Sequence, residues 1–107
     1  MAIAFVGNGA IGATTTGTLT LTAPSGLSTN GILIAVVFEN GANNAAATFP
    51  STEVDGISAW TKFVTFNASA TEFVTVAWAR VTNGVNASSN SISVTLDDDL
   101  GTLFCGA

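Results

Sequence analysis

Histidine and tyrosine are absent from this chain of 107 residues, and cysteine occurs only once. Without histidine, the chain lacks the commonest general base and a frequent metal ligand. Cys105 has no histidine beside it to generate a reactive thiolate, and a single cysteine cannot form a disulfide within the chain. We therefore predict that the protein is not an enzyme and that it has no catalytic residue, no bound metal and no cofactor.

Positive charge is almost as scarce, because Lys62 and Arg80 are the only basic residues and the net charge is -5. Nucleic-acid binding depends on basic side chains that neutralise phosphates, so we predict no DNA or RNA partner. Long hydrophobic runs are also missing. The longest, residues 32–38, is far shorter than the ~20 residues of a membrane-spanning helix, and no basic residue opens an export signal. We predict no contact with a membrane.

Apolar residues are in excess: 48% of the chain is hydrophobic and the mean hydropathy is +0.54. Charged residues make up 8% of the chain, whereas about 25% is usual in soluble domains. The length fits one domain over residues 1–107, because two units would each be too small to bury a stable core. One small domain cannot hide this much apolar surface, so we expect other protein subunits to cover part of it.

Two segments alternate apolar and polar residues, as half-buried strands do. They are residues 17–22 and residues 91–96. Residues 31–38 are apolar on both faces, which predicts a central strand covered on one side by the core and on the other by a partner. The residues predicted to point inward in the two alternating segments are Leu19, Leu21, Ile92, Val94 and Leu96.

Residues 60–66 and 72–80 predict a hairpin, in which Val74, Val76 and Trp78 share a face and Phe73 points the opposite way. With residues 2–6 and 100–105, about seven short strands are expected and no helix of useful length. This pattern predicts an all-β fold, an antiparallel two-sheet sandwich of Greek-key or jelly-roll type, with a closed barrel as the alternative. The residues that we predict to form an interface are Ile32, Ile34, Val36, Phe38, Phe73 and Phe104.

Gly7, Gly9 and Gly12 follow an apolar strand with the spacing of a dinucleotide-binding loop. The threonine-rich residues after them supply no helix start, so we interpret this segment as a connection between strands. Residues 40–50 contain few apolar anchors and predict a long loop.

Acidic and aromatic residues offer further candidates. Asp97, Asp98 and Asp99 are interpreted as an exposed turn, with a calcium site as the alternative. A carboxylate pair such as Glu53 and Asp55 could serve a glycosidase, but two acids on one short segment are usually a solvated loop. For Trp60, Trp78 and Phe73 we predict burial in the core, with stacking on sugar rings as the alternative.

Four pieces of the chain together resemble a known family. They are a Pro-Ser-Gly turn at residues 24–26, the strand at residues 30–37, Trp60, and the Val-Thr-Val-Ala-Trp-Ala-Arg strand at residues 74–80. This pattern resembles β-sandwich structural proteins of tailed bacteriophages, in which a Gly-Asp-Leu-Leu-Leu-Ala-type strand precedes a tryptophan and a strand similar to Val-Tyr-Trp-Arg. The resemblance covers residues 23–96. It departs from the family pattern at one position, because the family has a polar residue after the glycine, whereas here the polar residue, Asn30, stands before Gly31.

The resemblance implies a capsid decoration, or cement, protein that binds the assembled shell of the virion after synthesis in the host cytoplasm. Its implied partners are the major capsid protein or other virion subunits and further copies of itself, with a trimer favoured. The alternative is a receptor- or glycan-binding module of a tail fibre or baseplate, which would use the loop of residues 40–50. A third possibility is that the chain is a fragment of a longer fibre.

Overall fold

The computed structural model describes residue 7 and residues 13–14, 17–40, 47–67, 72–96 and 101–106. This part of the chain is mostly β and contains a single helical turn. Its elements are β1 (Ala13–Thr14), β2 (Thr18–Thr22), β3 (Ile32–Asn40), β4 (Thr61–Asn67), β5 (Glu72–Arg80), α1 (Gly84–Ala87), β6 (Ser91–Thr95) and β7 (Gly101–Gly106).

The strands form two antiparallel sheets that pack together over one core. The larger sheet has five strands in the order β1-β7-β3-β5-β4, and the smaller sheet pairs β2 with β6. The prediction of an all-β fold with two antiparallel sheets is confirmed at this level. The predicted hairpin is confirmed in its strands, because β4 and β5 pair antiparallel; the connection at residues 68–71 lies outside the described residues.

The smaller sheet follows the alternation of the sequence. Leu19 pairs with Val94, and Leu21 pairs with Ile92, and all four side chains are buried. Leu96, just after β6, is buried as well and donates its backbone N–H to the carbonyl of Gly17. The predicted inward residues of both segments are therefore confirmed.

β3 is the centre of the larger sheet, since it pairs with β5 on one side and with β7 on the other. Its inward residues Leu33, Ala35 and Val37 are fully buried. The neighbouring strand β5 adds the small inward residues Ala77 and Ala79. Small residues on this sheet complement the leucine and isoleucine side chains of the smaller sheet, which is how interiors reach their high packing density.

The end of the segment at residues 40–50 is anchored more firmly than its composition suggests. Ala47 and Phe49 are buried, and Thr48 exchanges two backbone hydrogen bonds with Thr95, at 2.7 and 2.9 Å. Ala47 also donates its N–H to the buried hydroxyl of Thr75 at 3.1 Å. Residues 47–50 belong to no strand or helix, as predicted for a loop, but they are anchored in the core by Ala47 and Phe49, which the composition did not indicate. Residues 41–46 lie outside the described part of the chain.

Two local features were not predicted. Val54 and Ile57 exchange both backbone hydrogen bonds around Asp55 and Gly56, whose φ values of 50° and 78° are those of a type I′ turn. The second feature is α1, a helix of four residues between β5 and β6.

α1 is held by its cap and by a close backbone contact. The side-chain oxygen of Asn83 accepts hydrogen bonds from the N–H groups of Val85 and Asn86. Gly84 packs against the carbonyl of Leu27 so closely that a Cβ atom there would overlap the carbonyl oxygen. With only four residues, α1 is much too short to cross a membrane, and the described part of the chain contains no longer helix.

Several predictions concern residues outside the described part of the chain. These are the strand at residues 2–6, the glycine-rich segment apart from Gly7, and Asp97, Asp98 and Asp99. They stay predictions.

Candidate interaction surface

The outer side of the larger sheet carries a patch of apolar side chains. The outward residues of β3 and β5 lie opposite one another in four cross-strand pairs. The pairs are Ile32 with Arg80, Ile34 with Trp78, Val36 with Val76, and Phe38 with Val74. Cross-strand neighbours on one face touch directly, so these residues form a continuous surface with a single charged member, Arg80.

This surface is open to solvent in the structure. Ile32 and Ile34 are each 48% exposed and Trp78 is 40% exposed, which is high for side chains of this size. The others are half-buried by their neighbours. We call the following seven residues the apolar face: Ile32, Ile34, Val36, Phe38, Val74, Val76 and Trp78.

Four of the six residues predicted to form an interface lie together on the apolar face, namely Ile32, Ile34, Val36 and Phe38. The side chains of Phe73 and Phe104 lie outside the described part of the chain. Their backbones pair with Glu39 and Val36, respectively. The use of this face as an interface stays a prediction.

Trp78 belongs to the apolar face, and the prediction that it lies in the core is wrong. The residues of β5 that face the core are Thr75, Ala77 and Ala79, all fully buried, so alternation turns Trp78 outward. The prediction that Val74, Val76 and Trp78 share a face is confirmed. Alternation along β5 puts Trp78 on the face opposite to Ala77 and Ala79. The small size of these two alanines suits a closely packed core, and this signal could have placed Trp78 outside.

Trp60 lies at the border of the core instead. It is half-buried, and its ring packs against that of the buried Phe49 with centroids 5.1 Å apart and planes tilted by 31°. Its backbone N–H donates to the carbonyl of Pro50 at 3.0 Å. Core packing, the favoured interpretation of this tryptophan, is therefore confirmed in part.

Beside the apolar face, the edge strand β4 is irregular. Its register against β5 shifts between Lys62 and Val64, so Phe63 is an extra residue, and its side chain is 73% exposed. A bulge and a lysine on an edge strand both hinder pairing with a further strand. A partner of this sheet is thus better accommodated on its face than along the β4 edge.

The outer side of the smaller sheet has the opposite chemistry. Every outward residue of β2 and β6 is a threonine or serine, and all are exposed except the half-buried Thr22. We call these six residues the hydroxyl face; they pair as Thr18 with Thr95, Thr20 with Ser93, and Thr22 with Ser91.

The charged residues of the larger sheet lie at different levels along its strands. β5 begins with Glu72 and ends with Arg80, and the nine residues between these bounds span roughly 27 Å at about 3.4 Å per residue. Lys62 pairs with Ala77, near the middle of β5 and on the parity of the buried residues. Glu39, near the end of β3, lies at the same end as Glu72. Arg80 is therefore the one charged residue among the described outward side chains of β3 and β5.

The described residues offer few side chains for acid–base catalysis or for metal binding. Glu53 and Asp55 are exposed on the turn around Gly56, as predicted for a solvated loop. No group of three or more acidic or cysteine side chains that could hold a metal ion occurs in the described ranges.

A cavity of about 150 Å³ opens beside Trp60. Its walls are mainly apolar, with two serines of β6 among them, so it suits a small apolar group better than a charged one. The residues that line it are Pro50, Val54, Ile57, Trp60, Ser91, Ile92 and Ser93.

Comparison with protein-family models, with curated proteins and with solved structures found no match to this chain.

Proposed function

We propose that the protein is a structural subunit of a virus particle, a decoration protein that binds the assembled capsid of a tailed bacteriophage and stabilises it. It acts through contacts with protein subunits and not by catalysis. The observation that carries the proposal is the apolar face, where Ile32, Ile34 and Trp78 expose 40 to 48% of their surface in water. An exposed apolar patch of this kind marks a surface that another protein covers.

The mechanism is mass action. A protein that binds the assembled shell, and not its separate subunits, adds its binding free energy to the assembled state alone. The partners are the major capsid protein or other virion subunits, together with further copies of this chain. The protein is made in the host cytoplasm and resides in the virion, and neither nucleic acid nor a membrane takes part.

Connectivity supports the finer description of the fold. The chain leaves the smaller sheet after β2, builds β3 to β5 in the larger sheet, returns with β6 and crosses again with β7. We propose that the sandwich is of Greek-key or jelly-roll type, since such crossings between two sheets are typical of these folds.

Copy number in purified particles tests the proposed function. The particles whose genome encodes the chain are purified, and the chain is quantified against the major capsid protein by mass spectrometry. A decoration protein is expected at hundreds of copies per particle. A few dozen copies would indicate a tail fibre or baseplate module instead, and complete absence from the particle would overturn the proposal.

Deletion of the gene provides the second arm. Particles that lack the protein are expected to lose infectivity at a lower temperature and under milder osmotic shock than complete particles. Adding the purified chain back should restore resistance. Equal resistance of the two kinds of particle would overturn the stabilising role.

A further inference from the structure

We propose that the open edge of β6, at residues 91–93, binds an extended segment of another protein chain. The segment adds a strand to the smaller sheet and places one apolar side chain in the cavity beside Trp60. This site is separate from the apolar face, so the inference goes beyond the proposed function and does not depend on it.

The backbone of Ser93 points away from β2. In an antiparallel pair, backbone hydrogen bonds join every second pair of opposite residues. The N–H of Ala23 donates to the carbonyl of Asn90 at 2.8 Å, which fixes the pairs that are bonded. Ser93 and Thr20 form a pair of the other kind, so the N–H and C=O of Ser93 point to the outer edge of β6. Neither group has a hydrogen-bond partner in the described part of the chain.

Pro50 is the reason why this edge is open. On the same edge, Thr48 pairs with Thr95 through two backbone hydrogen bonds, at 2.7 and 2.9 Å. If that ladder continued, Pro50 would stand opposite Ser93. Proline has no N–H to donate, and the carbonyl of Pro50 accepts from the N–H of Trp60 at 3.0 Å instead. The ladder therefore stops after one pair and leaves a donor and an acceptor open at Ser93.

The cavity lies directly beside this open position. Ser91, Ile92 and Ser93 are among the residues that line it, as are Pro50 and Trp60. The side chain of Ile92 is buried, whereas the two serines are exposed. In a strand added to this edge, the residue opposite Ile92 turns its side chain to the same face as Ile92. A segment that bonds to the backbone of Ser93 thus presents its next side chain to the cavity.

The volume and the lining of the cavity define the side chain that fits. Apolar cavities of about 150 Å³ hold a ring of the size of benzene, and this cavity has that volume. The residues that line it are all uncharged, and most are apolar. Burial of a charge without a partner is strongly unfavourable. The segment therefore carries leucine or phenylalanine at this position, and not a charged residue.

The occupant is a stretch of extended chain and not the β6 edge of a second copy. The open part of the edge is short, because Thr95 is already paired and the N–H of Ser91 donates to the side chain of Asn90 at 2.8 Å. A second copy carries its own Thr48 on the same edge, so two β6 edges meet over very few residues. Backbone hydrogen bonds combined with one side-chain pocket are typical of sites that bind extended peptides.

The test measures binding of a synthetic peptide with blocked ends, Thr-Thr-Phe-Thr-Thr, to the full-length chain by nuclear magnetic resonance. At saturation, hydrogen exchange of the Ser93 amide should slow by about tenfold or more, because this N–H gains an acceptor. The indole N–H signal of Trp60 should shift. A peptide with alanine in place of phenylalanine should bind about tenfold more weakly, because it leaves the cavity empty.

A change at Ser93 tests the backbone contact. Ser93→Pro removes the open N–H and should weaken binding of the phenylalanine peptide by about tenfold or more. Proline is tolerated in an edge strand where the N–H faces away from the ladder, so the fold should persist. The matched control, Ser93→Thr, keeps the N–H and should bind within about threefold of the unaltered chain.

A change at Val54 covers the case in which the proline variant does not fold. Val54 lines the cavity and is 43% exposed, so Val54→Trp can fill the cavity from its open side without displacing the core. This variant should no longer bind the phenylalanine peptide. Val85→Trp is the matched control, because Val85 lies on α1, is 89% exposed and does not line the cavity. Circular dichroism checks that each variant is folded.

Several results would overturn the inference. They are a Ser93 amide that is already protected in the free chain, equal binding of the two peptides, and no binding at about 5 mM peptide. Protection of Ser93 that rises with protein concentration would assign the edge to a second copy and would also overturn it. Because the assay uses the isolated chain, its failure leaves the virion role untouched, and absence of the protein from particles would leave this site untouched.

Discussion

In the smaller sheet, every outward residue of β2 and β6 is threonine or serine. In the larger sheet, the outward residues are apolar from Ile32 to Phe38 in β3 and from Val74 to Trp78 in β5, and the next outward residue of β5 is Arg80. The two surfaces are built on the same alternating backbone and cover the same core. Threonine suits a solvated strand, because its branched side chain favours the extended backbone while its hydroxyl meets water. The apolar face needs a different explanation, because the exposure of apolar side chains to water is unfavourable.

The inward residues of a strand are constrained by the fold, because they pack in the core. The outward residues are constrained by what surrounds the protein. Leu19 and Leu21 in one sheet and Leu33 and Val37 in the other are equally buried. Their outward neighbours differ because one sheet faces solvent and the other, in our proposal, faces a second subunit.

The largest effect is expected in the shared core. Leu21→Ala in the smaller sheet and Leu33→Ala in the larger one should each lower the free energy of unfolding by about 2–5 kcal/mol, because each removes a fully buried side chain and leaves a cavity. Urea denaturation at a fixed protein concentration measures both. A loss below about 1 kcal/mol for Leu21→Ala alone would show that the smaller sheet does not share the core.

A smaller effect separates a buried hydroxyl from an exposed one. Thr75→Val keeps the shape of the side chain but removes the acceptor for the N–H of Ala47, and should cost about 1–3 kcal/mol of unfolding free energy. The matched variant Thr20→Val on the hydroxyl face should change stability by less than about 0.5 kcal/mol. Equal effects in urea denaturation would contradict the assignment of different roles to these two hydroxyls.

The smallest effect on stability is expected when the chemistry of one outer face is transferred to the other. Ile34→Thr with Trp78→Thr places a threonine pair in the apolar face, and should weaken self-association by about tenfold, or about 1.4 kcal/mol. The fold should persist, because threonine is a good strand residue. Light scattering over a concentration series measures the association. The control, Thr20→Ser on the hydroxyl face, should leave it unchanged, and an equal loss in both variants would contradict the contrast.

Much of the fold could be predicted because its strands carry local patterns. The alternation at residues 17–22 and 91–96 identified β2 and β6 with the correct buried residues, and the doubly apolar segment identified β3 as central. The hairpin of β4 and β5 also followed from neighbouring segments. These features depend on residues close in sequence, which periodicity can detect.

What could not be predicted depends on distant contacts. Phe49 is buried by packing against Trp60, and Gly84 is required by the carbonyl of Leu27, so neither position is explained by its sequence neighbours. Trp78 was placed in the core because large aromatic residues are usually buried, yet the parity of β5 turns it outward. The Asp55-Gly56 turn is different, since this dipeptide is itself a hairpin signal that could have been used.

The bulge in β4 also hinders one route by which copies could assemble. A straight edge strand would let copies join ladder to ladder without end, which is the geometry of fibrils. With Phe63 displaced from the ladder and Lys62 beside it, that route of growth is hindered at this edge. A subunit bound to the apolar face needs no free strand edge, so such binding does not require polymerisation through the β4 edge.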